Sequence, residues 1–414
     1  MDAINTGDTA WVLTSSALVM LMTPGLAFFY GGLVRRKNVL GILIQCLGAL
    51  CIVSLQWVLG GYSLAFGKGS ESFIGGIIGN LNGFLLNGVG FEPSPYATTV
   101  PHQAFMIFQM MFAIITPALA IGAFAERMKF SAYCLFLILW SFFVYDPICH
   151  MVWAFGGHVR NMGALDFAGG TVVHLNAGVA ALVACLVMGK RHGPSHLSTH
   201  NLPFAVLGAC LLWFGWFGFN AGSALAAGGG LATSAFVVTH VATAAAGLSW
   251  AVIEWIKNGK PTTLGVITGA VAGLVAITPA SGFVDVRGAI MIGLLVSVFC
   301  FFAVSVIKAK FGYDDTLDVF GVHGVGGMWG AIGTGLFATK AVNSGGADGF
   351  FYGNPAQVLI QLKAVGITIL WSGFGSFILL KIIDVMVGLR VSPEEEVLGL
   401  DLTQHHERAY TILE

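Results

Sequence analysis

Between residues 10 and 389 the chain returns again and again to runs of about 20 residues with few or no charges, each long enough to cross a hydrocarbon core as a helix. This pattern leaves little choice of solvent. Only 9% of the residues are charged, against about 25% in ordinary soluble domains, so a water-facing exterior cannot be built. The runs are continuously apolar rather than alternating, which disfavours a transmembrane barrel. Glycine, at 57 of 414 residues, is spread through the runs and suits close helix packing in lipid. The expected fold is an all-α polytopic membrane protein.

Eleven spans are expected, at about 10–30, 39–66, 104–125, 131–155, 167–188, 202–225, 232–256, 262–280, 287–307, 316–338 and 357–389. With the N-terminus outside, the inner connections and tail hold 14 Lys and Arg residues, among them Arg35–Lys37, Arg127, Lys190 and Arg191. The outer side holds 5: Lys68, Arg160, Arg287, Lys340 and Lys363. Basic residues collect on the cytoplasmic side, so the topology is N-out, C-in. Asp2 and Asp8 are the wrong flank for a cleaved signal peptide, and the first run is expected to be a span. Residues 1–389 form the transmembrane domain. Residues 390–414 form a cytoplasmic tail, in which "SPEEEV" predicts a short helix capped by Ser392 and Glu395 and ending near Gly399.

Two histidines interrupt the apolar runs. His174 stands in "LDFAGGTVVHLNAG" and His323 in "DDTLDVFGVHGVGG". Asp166 precedes the first by eight residues, and Asp315 precedes the second by eight. Eight helical residues descend about 12 Å, which reaches the centre of the membrane from either side. Five spans separate the pairs, and an odd number inverts orientation. The chain therefore reads as two inverted five-helix repeats, about 10–188 and 202–338, followed by an eleventh helix at about 357–389. Binding sites in such proteins lie at the midplane between repeats. Either histidine alone could be a hydrogen-bonded packing residue; two in equivalent positions favour a shared pathway. A metal site lacks a third ligand beside both. The aspartates could cap their helices, a role favoured for Asp315 and left open for Asp166.

Aromatic residues gather near the outer ends of spans. Phe108 and Phe112 share one helix face, as do Trp216, Phe219 and Ser223. His150 and Trp153 close the fourth span. Such stripes serve packing or interface belts, and clusters with a hydroxyl can also cage a small cation. The seven cysteines all fall in apolar runs without a CxxC pair and read as small packing residues. His192, His196 and His200 have a spacing that could hold a metal, but Pro194 breaks any helix there, and a solvated loop is expected. A net charge of −1 gives no hint of nucleic acid.

At this point the chain resembles the ammonium transporters (ammonium/methylammonium permeases, relatives of the Rhesus proteins) over nearly its whole length. The stretches that carry the resemblance are "TPGLAFFYGGLVRRKNVL", "GAFAERMKFSA", "HMVW", "LDFAGGTVVHLNAG", "WFGWFGFNAGSAL", "FGVHGVGGMWG" and the tail "GLRVSPEEEVLGLDL…ERAY". Trp153 and the tail favour the bacterial or archaeal branch. The resemblance implies that Phe108, Trp153 and Ser223 recruit ammonium at an outer vestibule. Phe112 and Phe219 would be the gate below it, and Asp166 the carboxylate that supports the site. His174, His323 and Trp216 would line the pore. It also implies a homotrimer in the cell membrane with one pore per subunit, surrounded by lipid, methylammonium as a substrate analogue, no cofactor, and a PII-type signal protein as a partner of the tail. Met151 stands where a Trp is common, and "QHHERAY" lacks the usual Gly before Glu407; neither is a pore position.

The mechanism so implied is recruitment of ammonium, its deprotonation, and conduction of ammonia past the twin histidines, expected to be electrogenic. Two other readings compete. An ammonium sensor would use the same fold to signal through its cytoplasmic face, but the tail is short for a signalling domain. A passive channel for a neutral solute such as urea, water or carbon dioxide would have no use for a cation cage. Enzyme activity lacks a nucleophile–base pair.

Overall fold

The computed structural model describes residues 4–192 and 199–410. Among the described residues, nine helices are long and apolar enough to cross a membrane: α1 (Thr6–Leu33), α2 (Arg36–Phe66), α3 (His102–Phe124), α4 (Phe130–Asn161), α5 (Gly170–Met188), α6 (Leu202–Gly222), α7 (Leu231–Asn258), α9 (Val286–Phe311) and α11 (Ala356–Val387). Two shorter apolar helices, α8 (Thr263–Ile277) and α10 (residues 320–337), complete the eleven. Their ends fall within a few residues of the expected spans. The exception is α4, whose helix breaks after Trp153 and resumes for one turn at His158–Asn161. Helix starts are satisfied locally, as orphan N–H groups in lipid demand: Asn5 accepts from Asp8 N, Thr262 from Gly265 N and Asp285 from Gly288 N.

Glycine sets how closely the helices approach. A Cβ on Gly208 of α6 would lie 2.1 Å from the backbone nitrogen of Phe29 in α1, and one on Gly32 would lie 2.5 Å from that of Ala205. Likewise a Cβ on Gly178 of α5 would lie 2.2 Å from Gly324 N of α10. Lipid offers no hydrophobic drive for helix association, so dispersion at such close contacts must supply it. The pairs are α1 with α6 and α5 with α10, the first and the last helices of the two halves. Equivalent helices of two inverted repeats therefore pack on each other, and α11 lies along α5 and α10.

The connections sort to the two ends as the charge asymmetry requires. At the outer end, residues 67–101 carry a small hairpin, β1 (Pro93–Ser94) with β2 (Ala97–Pro101), and Thr99 O accepts from Asn5 N at 2.8 Å. At the inner end, Glu126, in a left-handed backbone conformation (φ 73°), accepts from Arg35 N (2.8 Å), Arg35 Nε (3.0 Å), Asn38 Nδ2 (2.9 Å) and Arg191 Nη1 (3.0 Å). Arg191 also grips Asp314 through Nε (2.8 Å) and Nη2 (2.7 Å). Arg127, expected as an inner-loop charge, is instead fully buried. Its guanidinium donates to the carbonyls of Ala123 (2.9 Å) and Asp314 (2.6 Å) and to Thr316 Oγ1 (2.8 Å).

The tail docks on this end. Ser392 and Glu395 form the expected capping box of α12 (Pro393–Leu398), which ends at Gly399. A further helix, α13 (Leu400–His405), follows. Leu400 N donates to Asn38 Oδ1 (2.8 Å), Gly41 N to Asp401 Oδ1 (2.8 Å), and Arg390 pairs with Glu396 at 2.8 Å. Burial by itself would raise the Asp314 carboxyl, but the hydrogen bonds and charge of Arg191 outweigh it and hold the group down at about 2. Glu126 is lowered in the same way, burial being overcome chiefly by Arg35. A depressed carboxylate lends its full stability above its unfolded pKa and loses it only as pH falls through the folded one. The inner-end network, and the tail resting on it, are thus expected to stay closed from neutrality down to about pH 4. Protease resistance of residues 391–410 across that range checks this; release of the tail before about pH 5 would contradict the ion-pair account.

Candidate functional site

Both histidines stand on widened, π-helical turns rather than on the regular helix expected. Residues Gly170–Leu175 open α5, and Phe320–Gly324 open α10. Such turns recur at functional sites because they displace side chains from the regular helical face. Gly169, at φ 111°, lets the chain turn into α5. Asp166 closes that entry: its carboxylate accepts from the backbone N–H groups of Gly169 (2.8 Å), Gly170 (2.7 Å), Thr171 (2.8 Å) and Val172 (3.3 Å), and from the Thr171 hydroxyl. Asp315 does the same more sparingly, accepting from Phe320 N at 2.8 Å. The repeated aspartates are helix caps in both halves.

The two imidazoles meet. Their rings lie 5.4 Å apart at 26°, and His323 Nδ1 stands 3.4 Å from His174 Nδ1. A hydrogen bond between two Nδ1 atoms needs one donor and one acceptor, so at least one ring is neutral. The other ring nitrogen of His174, Nε2, is buried with no partner among the described residues. The close approach depends on glycine, since a Cβ on Gly327 would lie 2.8 Å from Gly170 O and 3.1 Å from His174 Cβ.

Above and below this pair lie two cavities. The outer one, about 510 Å³, is walled by Trp153, Ser223, Asp166, Tyr96, Phe105 and Gln109, among others. Trp153 Nε1 donates to Asp166 O (2.9 Å), and Ser223 Oγ donates to Phe219 O (2.8 Å), which leaves the lone pairs of that hydroxyl available as acceptors. Beneath it the rings of Phe112 and Phe219 close together at 4.2 Å, with Trp153 edge-on to Phe112 at 5.8 Å. His174 stacks under them, 5.8 Å from Phe219 and 5.2 Å from Trp216. The inner cavity, about 220 Å³, begins at His323 and is bounded by Tyr30, Phe29, Val271, Val322 and Asp318. Asp318 is ion-paired with Lys308 at 2.6 Å.

The nine residues singled out in the sequence thus lie together between the outer and the inner cavity. Phe108, fully buried like Phe112, stands 5.0 Å edge-on to it, and neither ring is among the residues that wall the outer cavity. The wall that α3 offers is Phe105 and Gln109, which share a face with Phe112 at spacings of four and three. Periodicity alone could have found them. Thr278, which accepts from Trp216 Nε1 at 2.8 Å, lies 62 residues away in sequence and carries no local signal. His150 turns out to be architectural, with Nδ1 and Nε2 each 3.0 Å from a carbonyl, of Ala65 and Gly75. Of the spaced inner histidines, His196 lies outside the described residues, and His200 is engaged by Val34 O (2.9 Å) and the Tyr410 hydroxyl (3.1 Å).

Two cavities at opposite ends of an eleven-helix bundle, divided by a stacked aromatic pair and two touching imidazoles, define a membrane transporter for a small polar solute. The profile of the Ammonium Transporter Family matches residues 10–410. The chain is 52% identical over 404 residues to the ammonium transporter of Bacillus subtilis, covering 98% of each. It is 48% identical over 407 residues to ammonium transporter Amt1 of Archaeoglobus fulgidus, covering 98% of this chain and 99% of that one. Its fold matches the crystal structure of Candida albicans Mep2 with a TM-score of 0.89 at 37% identity, over 98% of this chain and 91% of that one. The chain belongs to the ammonium transporter family, and its function is ammonium transport.

Proposed function

We propose that ammonium is taken up at the outer cavity, loses a proton at the phenylalanine pair, and crosses the midplane as ammonia along the two imidazoles into the inner cavity. The observation that carries this reading is the uninterrupted order Trp153, Phe112, Phe219, His174, His323 between the two cavities. A bare cation at the bilayer centre costs about 3 kcal/mol on insertion scales and more in simulation. Aromatic faces return only ~0.5–2 kcal/mol. The outer cage can therefore concentrate ammonium but cannot carry it through. Ammonium, unlike potassium, can give up a proton, and ammonia can then both donate to and accept from imidazole nitrogens. Phe108, Trp153 and Ser223 form the recruitment site, with Phe108 edge-on to the upper gate ring, Phe112. Phe112 and Phe219 are the gate, Asp166 holds the cavity floor in shape, and Trp216 lines the pore below. The proton passes inward by the histidine pair, so that transport is electrogenic.

The protein works as a homotrimer in the cell membrane, each subunit with its own pore. Residues 390–414 form a cytoplasmic surface, and the docked α12 and α13 beside Arg35–Lys37 offer a platform on which a PII-type protein would cover the inner cavity.

Trp153→Leu tests the recruitment site. Loss of the best cation–π face is expected to weaken apparent affinity by at most ~1–2 kcal/mol, about ten-fold, with the saturating ammonium current retained. Current recorded from protein in planar membranes at graded ammonium checks this. Complete loss of saturating current in a folded Trp153→Leu protein would make Trp153 part of the permeation step instead.

A further inference from the structure

Asp146 is a carboxyl group that the pore does not use. It lies in α4, fully buried, seven residues before Trp153 and so about 10 Å below it along the helix. Its Oδ2 accepts from Gln56 Nε2 of α2 at 2.8 Å. Among the described residues its Oδ1 has no partner, and neither has the amide oxygen of Gln56, although both atoms are buried. No cation pairs with Asp146 among the described residues. On its own helix the nearest titratable neighbours in sequence are Tyr145 and Cys149, both fully buried. From α2 it faces Gln56, and α3 carries no charged residue between Gln103 and Phe124.

Two buried oxygens without donors, one on each partner of an existing hydrogen bond, would both be satisfied by a single proton. An ionised carboxylate here would be a desolvated charge with one hydrogen bond, set beside a second acceptor, which is costly on both counts. A carboxylic acid removes both costs. Its O–H donates to Gln56 Oε1 while its carbonyl oxygen accepts from Gln56 Nε2, giving a two-bond ring like that of a paired acid and amide. We propose that Asp146 is a proton-binding site, permanently occupied, whose acid–amide ring with Gln56 joins α2 to α4.

The ring has a place in the architecture of the outer cavity. Gln56 immediately precedes the widened turn Trp57–Gly61 of α2, and Asp146 immediately follows the widened turn Ser141–Tyr145 of α4. One turn above Asp146, His150 makes the second link from α4 to α2 through Ala65 O. These two rungs fix the last two turns of α4, which present Trp153 to the cavity. Asp146 is thus a positioning residue for the recruitment site, and its protonation stands whether or not the transport mechanism above is right.

Infrared difference spectroscopy between wild type and Asp146→Asn, on full-length protein in lipid at neutral pH, tests the proposal. The expected difference is loss of one protonated-carboxyl C=O band. Loss of carboxylate bands instead would overturn it. Asparagine can form the same ring, with Nδ2 donating to Gln56 Oε1, so Asp146→Asn is expected to keep wild-type current, affinity and thermal midpoint, whereas Asp146→Leu loses thermal stability and weakens apparent ammonium affinity. An Asp146→Asn protein that fails to accumulate would count against the ring. In that event ¹³C-aspartate labelling of wild type and of Asp146→Leu supplies the reading: a labelled acid band present at neutral pH in wild type must be missing from Asp146→Leu, and the absence of that difference would end the proposal.

Discussion

Replacing His174 by aspartate is expected to end selective ammonium current. The imidazole fills the space between Trp216, Phe219 and His323 and holds the 3.4 Å link to His323 Nδ1. Aspartate is shorter and has no second nitrogen, so the link is broken in every protonation state. If the new carboxylate is ionised, it offsets part of the cost that keeps a bare cation out of the pore, and potassium should pass. If burial keeps it neutral, the pore has neither its proton relay nor its shape, and should conduct nothing. Both outcomes remove the wild-type behaviour. His323→Glu is expected to be milder, because His323 borders the inner cavity and a carboxyl group can also pass a proton. Current under ammonium and potassium gradients, for wild type and each variant, decides the matter. Wild-type ammonium current with wild-type rejection of potassium in His174→Asp would require the deprotonation mechanism to be abandoned.

The parts of this structure legible in the sequence are those governed by solvent and by repetition. A hydrocarbon core accepts few charges, so the eleven spans stand out by composition, and the loops gather at the ends that their Lys and Arg content assigns. The Asp–His echo placed two residues 149 positions apart in contact, because inverted repeats bring equivalent helices together. The roles proposed along the pore came from motif resemblance, since no periodicity distinguishes Phe112 from Phe108 in a helix that is apolar all round. What could not be read has a common physical origin. Widened turns at Gly170–Leu175 and Phe320–Gly324 arise from packing and capping across the bundle and leave no mark on helices without an amphipathic face. Arg127 counts as a loop charge in sequence, but tertiary carbonyls bury it. Thr278, Gln56 and Asp146 gain meaning only from partners far along the chain, and α13 forms in a tail whose docking site is three separate inner connections.

Substituting Gly178 by alanine is expected to damage transport out of proportion to the size of a methyl group. The added Cβ would lie 2.2 Å from Gly324 N and 2.3 Å from Gly324 Cα, and 3.0 Å from the carbonyl carbon of His323. All of these are backbone atoms, which cannot swing aside as a side-chain tip can. Carbon contacts settle near 3.5–4.0 Å, so α5 and α10 must part by roughly 1 Å or more at their crossing. His174 sits one turn before Gly178, and His323 is bonded to Gly324, so the wedge acts directly on the imidazole pair. A 3.4 Å contact is already at the limit of hydrogen bonding and does not survive such a shift. The stability cost is expected to be ~1–3 kcal/mol, typical of overpacking, which leaves a folded protein in which conduction can be measured. Gly366 of α11 is the matched control: among the described residues a Cβ there meets nothing within 4 Å, and alanine should leave both current and thermal midpoint unchanged. Thermal unfolding in detergent and ammonium current in planar membranes are the two readings. If Gly178→Ala matched Gly366→Ala in both, the close backbone crossing would not be what holds the two histidines together.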